Sequence, residues 1–229
     1  MPSNGKRRTS AMNKLESNVL SALSRAETFL SGEMLAMENN VSRAAVWKAV
    51  RSLKEKGYPI ESEKKRGYFL HPTEKLYAEG ICLSFPCDVF VFESLDSTSS
   101  EAKRRLRKKP ILILAEMQTQ GKGRRNSVFP SPPSGTYFTL GVPLRFPLTR
   151  FPAYKEMLLS LIAEHFSCER EEHSLVKEGN KVGGVLLESE VEYDECTALF
   201  IGVGYYPPLA NKLSSLSALC ENLYAALKK

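Results

Sequence analysis

The sequence predicts an α+β chain of two domains, a small helical one ahead of a larger one on a mixed or largely antiparallel sheet. Three observations predict it. Helical periodicity fills the first quarter of the chain and ends in two short strand-like runs. Beyond them, strand-like runs alternate with only two helical ones. Charge divides near the same place: residues 1–75 hold 14 Lys/Arg and 8 Asp/Glu, residues 76–229 hold 18 of each, and the whole net charge of +6 therefore lies in the first third. A localised basic segment fits a nucleic-acid-facing domain joined to a neutral one with another task.

Composition excludes several classes. At 229 residues there is room for one small core and one medium one. The apolar runs Ile111 to Ala115 and Met157 to Ala163 fall well short of the roughly 18 residues of a membrane span, so no membrane partner is expected. Met1 to Asn13 is polar and basic without an apolar centre, which reads as a frayed tail over residues 1–14 and not as a secretory signal. Cys82, Cys87, Cys168, Cys196 and Cys220 are odd in number and scattered, with no Cys-x-x-Cys pair. That pattern argues for a reducing cytoplasm and against a disulfide framework or a zinc site, and no protein metal ligands are expected.

The first helix carries Leu15, Val19, Leu20, Leu23 and Leu30 on its stripe. Ser31 caps a second helix with Leu35 inward, ending at Glu38-Asn39-Asn40. Ser42 caps a third, Arg43 to Lys56, with Val46, Val50 and Leu53 on its apolar face and Gly57 at its C-terminal stop. Tyr58 to Ser62 and Tyr68 to Leu70 read as strands flanking the basic turn Glu63-Lys64-Lys65-Arg66-Gly67. Helix, helix, turn, helix and basic hairpin is the order of a winged helix-turn-helix, predicted over residues 15–71. Ser42, Arg43, Ala44, Trp47 and Lys48 would face the major groove, and Lys64, Lys65 and Arg66 would meet phosphates. A protein-interaction module is the competing reading, and Trp47 is either a core residue or, next to Val46, a surface one.

His71-Pro72-Thr73 breaks the strand pattern and opens the second domain, residues 72–229. Val89 to Glu93, Ile111 to Met117, Tyr137 to Val142, Val182 to Val191 and Ala198 to Tyr205 are strand candidates; Ala153 to Phe166 and Leu216 to Leu227 are helical ones. The chemistry concentrates in Ala115 to Asn126. There a strand runs into a loop in which Gly121 and Gly123 permit close backbone approach and Lys122, Arg124 and Arg125 fall within four residues. Such a loop can wrap an oxyanion, although its spacing is not that of a P-loop and a solvated basic loop is the plainer reading.

Two resemblances sharpen this. Ser31-Gly32-Glu33, Val41 to Val46 and Gly67-Tyr68-Phe69-Leu70 resemble the DNA-binding domain of the bacterial biotin operon repressors. Asp96-Ser97-Thr98-Ser99, Gln118 to Arg125 and Lys181-Val182-Gly183-Gly184-Val185-Leu186-Leu187-Glu188 resemble, in order, the Asp-Ser-Thr-Asn, Gln-x-x-Gly-Arg-Gly-Arg-Arg-Gly and Lys-x-x-Gly-x-Leu-x-Glu motifs of the biotin/lipoate protein ligases. The resemblance covers about residues 17–205.

It implies a biotin–[acetyl-CoA-carboxylase] ligase type of enzyme. Biotin and ATP give biotinyl-5′-AMP, with Mg2+, and the biotinyl group passes to a lysine of a biotin carboxyl carrier protein. It also implies an operator-binding repressor and a ligand-promoted homodimer. Ser97, Thr98, Ser99, Gln118, Gly121, Lys122, Gly123, Arg124, Arg125, Phe129, Lys181 and Gly184 are the biotin- and adenylate-binding residues it implies, with Lys181 and Arg124 catalytic and Phe129 in place of a tryptophan wall.

The pattern departs from the family in several places. Ser99 stands for an asparagine, Lys122 for an arginine and Asn126 for a glycine, and Tyr205-Tyr206 follows Gly202-Val203-Gly204 where Ile-Asn is usual. The family's Lys-Trp-Pro-Asn-Asp motif precedes the Lys181 strand by roughly a dozen residues; Lys177 running into Glu178-Gly179-Asn180-Lys181 is read as a deletion of Trp-Pro-Asn-Asp. The small C-terminal barrel common in the family is expected to be absent. These departures leave a catalytically impaired biotin-sensing transcriptional regulator as an alternative, and a lipoate or octanoate transferase relative as a further one.

Overall fold

A computed structural model of the chain describes residues 13–71, 76–81, 83–209 and 212–228. Most of the tail expected over 1–14, and the Pro72-Thr73 break, lie outside the described residues.

The first helix, α1 (Lys14–Arg25), starts at a capping box. The Asn13 side chain accepts from the Glu16 N–H at 2.9 Å, and the Glu16 carboxylate accepts from the Asn13 N–H at 3.1 Å. Val19, Leu20 and Leu23 are buried, as the stripe requires. Glu16 is buried with them, its carboxylate met at 2.6 Å by Lys56 Nζ. Burial pushes the Glu16 pKa up, but the bonds from Lys56, Ser52 and Asn13 together outweigh it and hold the carboxyl below its ordinary range.

The next two helices, α2 (Gly32–Glu38) and α3 (Arg43–Glu55), begin at the expected serines, which accept from Met34 N–H at 3.0 Å and Ala45 N–H at 3.2 Å. The hairpin β1 (Ile60–Glu63) and β2 (Gly67–Leu70) is antiparallel, with Ile60 opposite Leu70. One expectation fails here. Leu30 keeps helical spacing from Leu23, yet the chain turns extended at Ala26. Leu30 instead exchanges backbone bonds of 2.8 and 2.9 Å with Tyr68, which seats the hairpin on the helices. Gly67 lies at φ 111°, and a Cβ there would stand 2.0 Å from the Leu30 carbonyl oxygen.

The second domain is a seven-stranded mixed sheet in the order β3 (Asp88–Leu95), β4 (Ile111–Gln118), β5 (Thr136–Pro147), β9 (Glu195–Tyr205), β8 (Asn180–Glu192), β7 (Ser174–Lys177), β6 (Glu169–Glu171). Only β3 and β4 are parallel, joined by the crossover helix α4 (Thr98–Arg105); every other pairing is antiparallel. Helices α5 (Phe151–His165) and α6 (Lys212–Ala226) bury Leu158, Ile162, Leu216 and Leu223 in the same core as Leu112, Leu114, Phe138 and Leu140 of the sheet. On the opposite face α4 places Ala102 against Ile113, Ala115 and Phe200. Covered on both faces, β4 is apolar throughout Ile111 to Ala115. Past α4 that second face stays open over β5, β9 and β8, and the site lies there. Tyr77 joins the two domains: its ring packs 4.3 Å from Tyr58 and its hydroxyl donates to the Gly57 carbonyl at 3.2 Å. Among the described residues no helix is long and apolar enough to cross a membrane.

Candidate functional site

A cleft of about 490 Å³ opens on that face, between the start of α4, the end of β4, the glycine loop and the β6–β7 turn. Its floor is polar and tightly bonded. Ser97 caps α4, accepting from the Ser100 N–H at 3.4 Å. Asp96 stays outside the lining; Arg104 holds it in a two-point pair at 2.8 and 3.0 Å and keeps its carboxyl below the usual range. Thr98 donates its N–H to Gln118 Oε1 at 2.8 Å and its hydroxyl to the same oxygen at 3.1 Å, while accepting from the Thr139 hydroxyl at 2.9 Å. Gln118 Nε2 donates to Ser131 at 2.8 Å. Groups on α4, β4, β5 and the loop at Ser131 thus tie the Thr98–Gln118 pair into one hydrogen-bond network. Ser99 donates to Glu188, which Lys103 also meets at 2.7 Å; burial raises the Glu188 pKa, and these two bonds more than offset it.

The glycine loop is a small hairpin of its own. Phe129 N–H donates to the Gly121 carbonyl at 2.7 Å, Gly123 N–H to the Ser127 carbonyl at 2.8 Å, and Lys122 pairs with Val128. Lys122, Gly123 and Arg124 line the cleft; Gly121 is buried under the loop and Arg125, left-handed at φ 52°, is exposed outside the lining. Phe129 lies flat on the glycines of β8 and β9. A Cβ on Gly204 would stand 2.2 Å from its ring and one on Gly184 would stand 3.1 Å away, so both glycines serve close approach. Tyr206 flanks the ring at 5.5 Å.

Lys181, on β8, is exposed and lines the cleft. Ahead of it the structure corrects the sequence reading. Lys177 and Asn180 are the closing pair of the β7–β8 hairpin, with Glu178 (φ 52°) and Gly179 (φ 73°) as its two-residue turn. The length of a tight turn, not a deletion, sets this spacing. Counting roughly a dozen residues back from Lys181 reaches Glu169 and Arg170, where β6 and its turn begin. From there Glu171, Glu172, His173 and Ser174 form one wall of the cleft. The chain that the Lys-Trp-Pro-Asn-Asp motif needs is therefore present, with other residues in it. Glu172 reaches across to Arg124 at 2.5 Å, and that guanidinium holds its carboxyl below the usual range. Burial keeps the His173 pKa below its ordinary value, and one ring nitrogen lies 3.1 Å from the Val185 carbonyl.

On the N-terminal domain, Arg43, Ala44, Trp47 and Lys48 are all exposed along α3, and Trp47, 52% exposed, is a surface residue with Arg51 5.7 Å over its ring. Ser42 uses its hydroxyl as the helix cap. On the hairpin Lys64 and Lys65 are exposed, whereas Arg66 is tied to Glu63 at 2.6 Å and lies 4.2 Å over Phe29.

Residues 91–205, half of the chain, match the Biotin/lipoate A/B protein ligase family. The chain belongs to that family. Residues 16–69 match an HTH domain, and this combination makes it a BirA-like protein. Two similar relatives are the bifunctional ligase/repressors BirA of Bacillus subtilis (strain 168), 26% identical over 195 residues, and of Bacillus spizizenii, 25% identical over 193. Each match covers 77% of this chain, which spans 59% of the length of these relatives. Among solved structures, the biotin protein ligase from Aquifex aeolicus in complex with biotin and ATP has a TM-score of 0.49 and 18% identity, over 62% of this chain and 71% of that one.

For a biotin/lipoate ligase, the expected Ser97, Thr98, Ser99, Gln118 and Gly184 come together in the cleft with Phe129 and the three cations. Thr139, Glu172 and His173 were missed from sequence; the motif spacing from Lys181 was the signal that leads to the last two. The Mg2+ that the resemblance implies, held mainly by substrate phosphates, would need only one or two carboxylates from the cleft wall, where Glu171 and Glu172 stand. No cluster of three His, Cys, Asp or Glu suited to a metal occurs among the described residues, and Glu172 and Glu188 of this region are each bound to a cation.

Proposed function

We propose that the cleft of this BirA-like protein joins biotin to ATP as biotinyl-5′-AMP and then passes the biotinyl group to a lysine of a biotin carboxyl carrier protein. In the first step a carboxylate oxygen of biotin bonds to the α-phosphorus and pyrophosphate leaves. In the second a neutral lysine amine bonds to the acyl carbon and AMP leaves, giving an amide. One observation carries the reading: a fixed Thr98–Gln118 polar pair sits in one cleft with Lys122, Arg124 and Lys181, brought from three separate chain segments.

The two substrates are anions, and the first problem is to bring them together. Lys181 bridges the biotin carboxylate and the α-phosphate, and charge placed where charge develops lowers that barrier. Ser97, Thr98 and Gln118 orient the biotin head, with Ser99 beside them. Lys122, Gly123 and Arg124 cover the phosphates, Gly121 lets the loop approach its own Phe129 carbonyl, Arg125 closes from outside, and Phe129 on Gly184 walls the site. A covered cleft keeps water from the mixed anhydride.

The N-terminal domain reads operator DNA as a repressor. Ser42, Arg43, Ala44, Trp47 and Lys48 face the major groove, with Lys64, Lys65 and Arg66 on phosphates. Adenylate occupancy would promote a homodimer and so couple the two domains. A second reading, a biotin-sensing regulator with impaired catalysis, is favoured by the acidic Glu171 and Glu172 in the cleft wall.

The test is biotin-dependent ATP–pyrophosphate exchange by the full chain. Exchange is expected, with a loss of about a hundred-fold or more in Lys181→Ala. Biotin binding without exchange would overturn the ligase reading in favour of the sensor.

A further inference from the structure

One ion pair spans the mouth of the cleft. Arg124 Nη1 lies 2.5 Å from a Glu172 carboxylate oxygen, although the two are 48 residues apart and belong to opposite walls, the glycine loop and the β6–β7 turn. Both side chains line the cleft. Of its three cations this is the paired one: Lys122 and Lys181 make no ion pair among the described residues. Glu172 is also held in the left-handed region at φ 51°, a conformation uncommon outside glycine and asparagine, which aims its side chain from the tip of the turn. Its side chain is 79% exposed and that of Arg124 41%, so charge and not burial holds the pair. An exposed pair of this kind is weak enough for a phosphate to displace, and strong enough to compete with one.

We propose that Glu172 is a specificity residue of the adenylation cleft: in the empty site its carboxylate occupies the Arg124 guanidinium, and an incoming nucleotide has to displace it. The inference rests on the adenylation reading. It makes the loop close on an internal anion before substrate arrives. It also sets the nucleotide requirement of the site: a ligand must offer enough phosphate charge to replace a carboxylate on Arg124. A ligand without phosphate, such as biotin alone, leaves the pair intact and binds without disturbing it.

Calorimetric titration of ATP, pyrophosphate and biotin into the full-length protein tests this, using wild type, Glu172→Gln, Arg124→Gln and the double variant. Glu172→Gln is expected to tighten ATP and pyrophosphate about two- to five-fold, the scale of one exposed ion pair. That gain should shrink at high ionic strength, and biotin affinity should not change. In the Arg124→Gln background the second substitution should give no gain. Equal ATP affinity in wild type and Glu172→Gln would overturn the proposal alone. So would a gain that persists without Arg124, because it would mark general repulsion and not occupation of the guanidinium. Failure of ATP to bind either protein would remove both this inference and the adenylation reading.

Discussion

The proposed DNA-facing set of the N-terminal domain and the glycine loop both expose cations, and apart from Arg66, which is tied to Glu63, the two sets differ in their partners. On α3 Arg43 and Lys48 stand exposed, as do Lys64 and Lys65 on the hairpin, and none has an ion-pair partner among the described residues. At the cleft, Arg124 already holds Glu172, and Lys103 holds Glu188 behind Ser99. A surface that meets a polyanion gains by releasing its counterions, and its cations can remain mobile and unpaired. At the cleft an internal carboxylate holds Arg124 in a defined place, while Lys122 and Lys181 make no ion pair among the described residues. Under the roles proposed above, exposed unpaired cations would serve DNA affinity in one domain, and the Arg124–Glu172 pair would serve nucleotide selection in the other.

Four substitutions break or sharpen this contrast from the N-terminal side. Gly67→Ala has the largest expected effect, because its Cβ would meet the Leu30 carbonyl oxygen at 2.0 Å at a φ of 111°. A destabilisation of roughly 2–3 kcal/mol is expected in urea melts, with DNA binding lost and biotin affinity kept. Loss of both ligands together would mean that the two cation sets do not act independently.

Lys56→Met is expected to cost about 1–3 kcal/mol at neutral pH by stranding the buried Glu16 carboxylate. Glu16 titrates below its ordinary value in the folded protein. Its contribution is therefore fully present above the unfolded value of about 4.3 and is lost as pH falls through the lowered folded value. Stability measured against pH should accordingly show a shallower acid limb in Glu16→Gln than in wild type; parallel limbs would refute the pairing. Lys64→Ala has the smallest effect: DNA affinity should fall alike on every sequence, and the slope of log K against log salt should drop by about one. Nucleotide binding at the cleft should be untouched.

Much of the fold was legible because local chemistry and burial agree. Ser31 and Ser42 cap the helices they were expected to cap, and Gly57 sits at φ 91° beyond α3. The apolar first five residues of β4 and the longer β8 and β9 were visible as runs. Other parts left no local signal. Helix α4 is almost entirely polar, with Ala102 as its one fully buried aliphatic, so it carries no stripe to find. Strand β6 is Glu169–Glu171, exposed at every position on the sheet edge, and shows no alternation. Leu30 misled because helical spacing continues past the point where the backbone turns extended. The cleft residues on the glycine loop and at Lys181 could be read from their motifs. The wall at Glu172 carried only the spacing from Lys181 and no matching motif residues, and its partner Arg124 is reached only once β6 and β7 are placed beside β8.

The central claim is that this cleft makes an acyl adenylate. Full-length protein incubated with biotin and ATP, then denatured and examined by mass spectrometry, tests it most directly. The account predicts biotinyl-5′-AMP only when both substrates are supplied, and none from Lys181→Ala. Biotin recovered bound but unmodified beside intact ATP would contradict it.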